Sequence, residues 1–391
     1  MTDTPNGWPQ GFHAWTGRIG LREESGDDLS LIASDRPCTS AAVFTRSLFA
    51  GASVLVNRRH APVQQTRAVV TVAKNANVAT GEQGERDAVE IAGLAGAAVG
   101  ASPEQTLISS TGVIGRLLPM PAVRDALATA AQQWSEHRDA SPLDVAAAMM
   151  TTDTRPKTSA ATVGHARIVG VAKGVGMLEP DMATMLAYLT TDAEVPADLL
   201  DTALRTAVDA TFNCLSVDSD TSTSDTVALL ANGAAGPVDP DEFTAAVAAV
   251  CLDLTRQLAS DGEGATKLIQ VTVTDARDRA QAKRVAKAVV NSPLVKTAVH
   301  GADPNWGRVV MAVGKCMDDT DIDPGRVRVA FGGLEVYPQH AGDDQLALLT
   351  EVMKQPEVPI TVTLGTGTAA VTVYGCDLSA EYVRINADYT T

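Results

Sequence analysis

No apolar stretch in this chain approaches the ~18 residues that a membrane-crossing helix needs, so no span is expected. Its opening residues, MTDTPNGWPQGFHAW, lack a basic patch followed by an apolar run and do not read as a secretion signal. Positive charge is in deficit. Lys and Arg number 31 against 47 Asp and Glu, a formal net charge of −16, which argues against holding nucleic acid through the general surface field. A locally basic pocket remains compatible with that balance. Aromatic residues are only 4% while apolar residues reach 45%, so the apolar content is Ala, Val and Leu, which suits helices layered on sheets. The cysteines, Cys38, Cys214, Cys251, Cys316 and Cys376, show no Cys-x-x-Cys or Cys/His spacing. Neither a disulfide framework nor a zinc site is indicated. Buried free thiols in a soluble, cytoplasmic protein are expected.

The chain is long enough, at 391 residues, for two domains or one large α/β body. Strands are expected at 52–57 (ASVLVN), 67–73, 166–172 and 184–193, from β-branched residues bounded by turn formers. Helices are expected at 84–100 and 121–134, from apolar residues at helical spacing. A further helix starts at Pro142, capped by Ser141. The second half predicts helices at 196–212, 239–259, 278–290 and 343–354. It predicts strands at 226–231, 267–274, 307–314, 326–331, 359–364 and 369–374. Without a strict βαβ rhythm, this pattern indicates layered α/β or α+β architecture rather than a doubly wound sheet.

The familiar catalytic signatures are missing. There is no G-x-S-x-G elbow, and KGVGM (173–177) has neither a phosphate-cradling G-x-x-x-x-G-K-[ST] nor the third glycine of a dinucleotide fingerprint. VDSDTSTSDT (217–226) resembles an aspartyl-phosphatase loop, but polar residues stand where apolar ones normally follow. As a calcium loop it lacks the sixth-position glycine and the twelfth-position glutamate. It reads as a polar loop held by Asx and Ser/Thr turns.

What is present is a threonine, Thr184, where a loop enters an apolar strand, preceded by Ala183. A chain cut before a threonine frees an α-amine that serves as base for the threonine's own hydroxyl. That amine titrates near ~7.7–8.0, far closer to neutrality than a lysine, and is a usable general base. A small residue on the acyl side lets Thr184 Oγ reach the preceding carbonyl for an N-to-O shift. In ISSTGVIGR (108–116), Thr111 and Gly112 end a short apolar strand and offer a hydroxyl donor beside an unhindered N–H, a pair able to hold an oxyanion. Taken singly, each also reads as an ordinary loop residue or β-turn.

Together these motifs resemble the ornithine acetyltransferase (glutamate N-acetyltransferase) family, whose members cleave themselves at an Ala-Thr bond. The resemblance runs nearly end to end through KNANVATG (74–81), STGVIG (110–115), MTTDTRPK (150–157), AKGVGMLEPDMATML (172–186), DTSTSDT (220–226), SDGEGATKLI (260–269), NSPLVKTAVHGADPNWGR (291–308) and the tail GCDLSAEYVRINADYTT (375–391). It implies an α-β-β-α sandwich with a smaller C-terminal α/β region near 278–355. It implies cleavage between Ala183 and Thr184 into fragments 1–183 and 184–391, associated as a heterotetramer of two of each. Thr184 would be both cleavage residue and acyl acceptor, and Thr111 and Gly112 the oxyanion hole. Thr151, Lys173, Thr184, Glu263, Asn386 and Thr391 would contact substrate. Lys173 suits an α-carboxylate, and Glu263, between two glycines, suits an ornithine ammonium. The implied reaction is ping-pong transfer of acetyl from N-acetylornithine to glutamate, with no metal or organic cofactor.

Typical arginine-pathway members carry Pro-Asn-Met-Ala-Thr at the cut, where this chain has Pro180-Asp181-Met182-Ala183-Thr184, and S-V-D-G-D where it has Ser216-Val217-Asp218-Ser219-Asp220. LEPDMAT, DTSTSDT and NSPLVKTAVHG look more like the paralogue of the clavulanic acid gene cluster, which suggests secondary metabolism. Two other readings stand beside transfer: a self-processing amidohydrolase or aminopeptidase of the same architecture, and a non-catalytic amino-acid-binding relative. The cleavage expectation is checked on a denaturing gel. Purified protein should run as two fragments and the Thr184→Ala chain as one, whereas a wild-type band that stays whole on long incubation counts against the scheme.

Overall fold

Valine and leucine faces from two stacked sheets meet at the centre of the molecule, and helices close both outer faces. The computed structural model describes residues 7–22, 26–60, 65–179, 185–338 and 342–388. The chain begins with β1 (Phe12–Gly17), β2 (Leu29–Ser34), β3 (Thr39–Phe44), α1 (Ala52–His60), β4 (Ala68–Val72), α2 (Gly81–Val99), β5 (Thr106–Ser110), α3 (Met120–Gln133) and α4 (Pro142–Met149). It continues with β6 (Lys157–Val163), β7 (Ala166–Lys173), β8 (Leu186–Glu194), α5 (Ala197–Ala210), β9 (Leu215–Ser216), β10 (Thr226–Pro237) and α6 (Pro240–Ser260). Then follow β11 (Leu268–Ala276), α7 (Arg279–Val290), α8 (Pro293–His300), α9 (Trp306–Gly314), β12 (Arg328–Phe331), β13 (Leu334–Tyr337), α10 (Asp343–Met353), β14 (Glu357–Thr363), β15 (Ala369–Cys376) and α11 (Ala380–Asp388).

Three sheets result, ordered β1-β2-β4-β5, β3-β10-β8-β7-β6 and β13-β12-β14-β11-β15-β9. The first two stack. Ile32, Val69 and Leu107 of one pack on Val171, Tyr188, Ala228 and Leu230 of the other, and Thr71 Oγ1 donates across the interface to the Tyr188 hydroxyl at 3.0 Å. Outside the four-stranded sheet, α1, α2 and α3 bury Val56, Ile91 and Val123. Outside the five-stranded sheet, α5 and α6 bury Leu200, Leu204, Val250 and Leu254. This is the expected α-β-β-α sandwich. Strands covered on both faces read as unbroken apolar runs, and in β8 every residue but Glu194 is buried. The third sheet differs. β14 alternates buried Val358, Ile360 and Val362 with half-exposed neighbours, the mark of a sheet with one packed face, and that face meets α7 and α9.

Most expected elements occur where the pattern put them, and Ser141 caps α4 with Asp144 in a reciprocal capping box. Two expected strands are helices. ASVLVN lies in α1, because β5 is an edge strand whose backbone needs partners. Asn57 supplies them, donating to Ile108 C=O at 2.6 Å and accepting from Ile108 N–H at 2.9 Å. Segment 307–314 lies in α9, whose buried residues Val309, Ala312 and Val313 recur at helical spacing. The cysteines are free as expected, but Cys316 is only half-buried. Among the described residues no helix is long and apolar enough to cross a membrane.

The inter-sheet layer should be the most sensitive part of the fold. Leu230→Ala, which empties a fully buried site, is expected to cost about 2–5 kcal/mol, read as a lowered urea midpoint.

Candidate active site

A cleft of about 200 Å³ opens where the two stacked sheets meet the C-terminal region. Its floor begins at the end of β5. Past Ser110 the chain turns, and Thr111 N–H donates to Val72 C=O at 3.0 Å while Val113 N–H donates to Lys74 C=O at 3.3 Å. Gly112 adopts φ +132°, and a Cβ there would lie 2.2 Å from the Lys74 carbonyl carbon. Only glycine fits this close approach.

Lys173, the last residue of β7, is buried and aims its ammonium across the floor. Nζ donates to Thr111 Oγ1 at 2.9 Å and to Thr151 Oγ1 at 3.0 Å. Because Thr111 Oγ1 accepts from the lysine, its own hydrogen is left to donate elsewhere. Burial pushes the Lys173 pKa down, opposed by the Asp153 carboxylate and reinforced by the Lys157 charge.

Asp153 organises this wall. It accepts from Thr151 N–H at 3.0 Å, Gly174 N–H at 2.8 Å and Lys157 Nζ at 2.7 Å. Burial works against its charge, but Lys157 and Lys173 prevail and hold its pKa at about 2, below the usual 3.8. Lys157, with no exposed surface, also donates to Asp261 Oδ2 at 2.6 Å. Asp261 caps the end of α6 and leads into the Gly262-Glu263-Gly264 turn.

Glu263 lines the cleft from that turn. Oε1 accepts from Thr152 Oγ1 at 2.7 Å and Oε2 from Asn386 Nδ2 of α11 at 2.7 Å. A Cβ on Gly176 would strike the Glu263 carboxylate at 2.6 Å, so the KGVGM turn must be bare there.

The loop 217–226 forms the remaining wall. Asp218 accepts from Met177 N–H at 2.6 Å, Leu178 N–H at 2.8 Å and Asp220 N–H at 3.3 Å, and Ser224 N–H donates to Ser222 Oγ at 3.1 Å. The Asx- and Ser/Thr-turn reading therefore holds, but the loop also lines the cleft through Asp218, Asp220, Ser222, Thr223, Ser224 and Asp225.

Of the expected site residues, Thr111, Gly112, Thr151, Lys173, Glu263 and Asn386 converge on this one cleft. Ala183, Thr184 and Thr391 lie outside the described residues. Met185, directly after Thr184 in the chain, lines the cleft. Sequence reasoning passed over Thr152, Asp218, Asp225 and Tyr382. For Asp225 the available signal was the density of polar residues in DTSTSDT, more than a surface turn needs.

The model of the ArgJ family matches residues 13–391. The chain is 52% identical over 388 residues to "Arginine biosynthesis bifunctional protein ArgJ" of Rhodococcoides fascians, covering 98% of this chain and 94% of that protein. It is also 52% identical over 397 aligned positions to "Glutamate N-acetyltransferase Oat2" of Streptomyces clavuligerus, covering 100% of both. A crystal structure of the arginine biosynthesis bifunctional protein of Bacillus halodurans aligns with TM-score 0.50 and 40% identity, covering 53% of this chain and 100% of that one.

The buried charges behind the cleft generate a prediction. Lys157→Met leaves Asp153 and Asp261 buried without their cation and is expected to cost about 3–5 kcal/mol at pH 7, measured by urea unfolding. Because the folded pKa of Asp153 is depressed, its contribution is complete above the ordinary 3.8 and lost as pH falls towards about 2. The gap between wild type and variant should therefore narrow at pH 3.

Proposed function

Starting from the fact that this chain belongs to the ArgJ family, we infer that it is a glutamate N-acetyltransferase that carries the acetyl group of N-acetylornithine on Thr184. The observation that carries this reading is the placing of Met185, the residue after Thr184, in the same cleft as Thr111 and Gly112. Cleavage before Thr184 frees an amine two bonds from the hydroxyl-bearing carbon, and that amine is the base.

Thr184 Oγ attacks the acetyl carbonyl while its proton passes to the amine. The carbonyl oxygen becomes an oxyanion, met by the Thr111 hydroxyl and the Gly112 N–H. The C–N bond then breaks, and the ornithine nitrogen leaves with the proton held by the ammonium. In the second half-reaction the glutamate α-amine attacks the acetyl ester, and Oγ leaves and regains a proton. Lys173 and Thr151 take the substrate carboxylate. Glu263, with Asn386 beside it, takes the ornithine ammonium, and Thr391 is the remaining proposed substrate contact.

Two observations support a cut chain. In the five-stranded sheet, β8 lies between β10 and β7, so fragments 1–183 and 184–391 would share one hydrogen-bonded sheet and stay together. Residues 184–391, 208 of the 391, are the same share of the chain, about 53%, that the complete Bacillus halodurans chain matches. Assembly as two of each fragment, in the cytoplasm, belongs to the same proposal. So does assignment to specialised rather than primary arginine metabolism, which rests on the Pro180-Asp181-Met182 and Ser219 departures.

Labelled ornithine should exchange into N-acetylornithine without glutamate, and N-acetylglutamate should form when glutamate is added. Acetate release that ignores glutamate would point instead to a self-processing hydrolase.

A further inference from the structure

The 217–226 loop supplies one group that this acetyl-transfer scheme leaves unused. Asp225 lines the cleft and is 2% exposed. Its backbone is held firmly. Thr45 N–H donates to its C=O at 3.0 Å, and the next residue, Thr226, donates its N–H to Met185 C=O at 3.1 Å. The Asp225 carboxylate accepts from Met185 N–H and from the Ser222 hydroxyl. Oδ2, by contrast, has no hydrogen-bond partner, and it is the only buried carboxylate oxygen so left among the described residues. A buried polar atom without a partner is costly and uncommon. One kept beside a reaction cleft has a ligand to find.

The Met185 nitrogen is bonded to the carbonyl carbon of Thr184. Standard bond lengths then hold the Thr184 nitrogen within about 4 Å of it, whatever the torsions. A carboxylate already bonded to Met185 N–H therefore has that nitrogen within reach. We propose that Asp225 is a positioning residue for acetyl transfer, its free Oδ2 accepting a hydrogen bond from the α-amine exposed when the Ala183–Thr184 bond is cut. This rests on the reading of Thr184 given above.

The chemistry closes without another reactant. The amine gives one N–H to Oδ2, which turns its lone pair towards Oγ. On taking the Oγ proton it becomes an ammonium, whose charge the adjacent carboxylate stabilises. When the tetrahedral intermediate collapses, that proton goes to the departing ornithine nitrogen, and the amine returns to its neutral, hydrogen-bonded state. Burial raises the Asp225 pKa well above the usual carboxylate range, against Ser222, Lys173 and Met185. A second cation beside Oδ2 is what such a carboxyl lacks. The other charges in reach are Lys173, with Asp153, Lys157 and Lys74 around it, and Asp218, Asp220 and Glu263 along the cleft wall.

The test compares wild type, Asp225→Asn and Asp225→Glu by the pH profile of kcat/KM for N-acetylornithine, after a denaturing gel of each. Asparagine keeps the shape and loses the charge, so the amine gives up its proton more readily. The acid limb should move down by about one pH unit or more and kcat should fall, while the glutamate variant keeps the limb of the wild type. A slower asparagine variant with an unmoved limb overturns the proposal and leaves the acetyl-threonine scheme standing. If the asparagine variant is not cut, the wild-type amine decides, titrated by the ¹⁵N shift of Thr184 in threonine-labelled protein. Pairing with a carboxylate predicts a pKa above the ~7.7–8.0 ordinary for an α-amine, and a value at or below that range overturns the proposal. A wild-type chain that stays whole overturns both readings together.

Discussion

Three buried charges, Asp153, Lys157 and Asp261, fix the rest of the site. Lys157 donates to both carboxylates, at 2.7 and 2.6 Å. Each of these groups alone would be expelled from an interior position, and together they are tolerated because every charge has a partner. The consequence is positional. Asp153 holds Thr151 N–H and Gly174 N–H, and Asp261 stands two residues before Glu263. One ionic knot therefore brings three distant stretches of chain to one wall: the segment after α4, the end of β7 and the turn after α6.

The cleft inherits two-sided electrostatics from that arrangement. Lys173 sits on the floor between Thr111 and Thr151, and Glu263, Asp218 and Asp220 also line the cleft. An amino acid with a carboxylate at one end and a side-chain ammonium at the other matches such a distribution. A uniformly basic or acidic pocket would repel one of its ends. The overall charge of −16 is no obstacle, because the field that matters is set within a few ångströms by one buried lysine.

Both sides of the segment 180–184 are anchored. Glu179 accepts from Ser216 Oγ at 3.0 Å, from Lys287 Nζ at 3.3 Å and from Asn291 Nδ2. Met185 is held through Asp225 and Thr226 on the other side. These contacts hold Glu179 and Met185 in place independently of the chain between them. The interleaving of β8 between β7 and β10 does the same on the scale of the sheet.

Local chemistry was legible in the sequence wherever it sufficed to decide the outcome. Helices such as α2, α3 and α6 follow from apolar spacing, α4 from Ser141 and Pro142, and the layered α/β class from an apolar content of Ala, Val and Leu with few aromatics. The motifs around Thr111, Lys173 and Glu263 carried the family, and the fold brings those three residues to one cleft. The sequence did not show that ASVLVN is a helix, because that depends on the unpaired edge of β5 lying alongside it. Nor did it show that DTSTSDT, readable as a self-contained polar loop, closes a cleft, or that Asp225 keeps a carboxylate oxygen unpartnered beside Met185. Periodicity and capping act within a few residues and are written in the chain. Edge pairing, the Asp153–Lys157–Asp261 knot and the meeting of Glu263 with Asn386 join residues up to 123 positions apart, and only the packed molecule decides them.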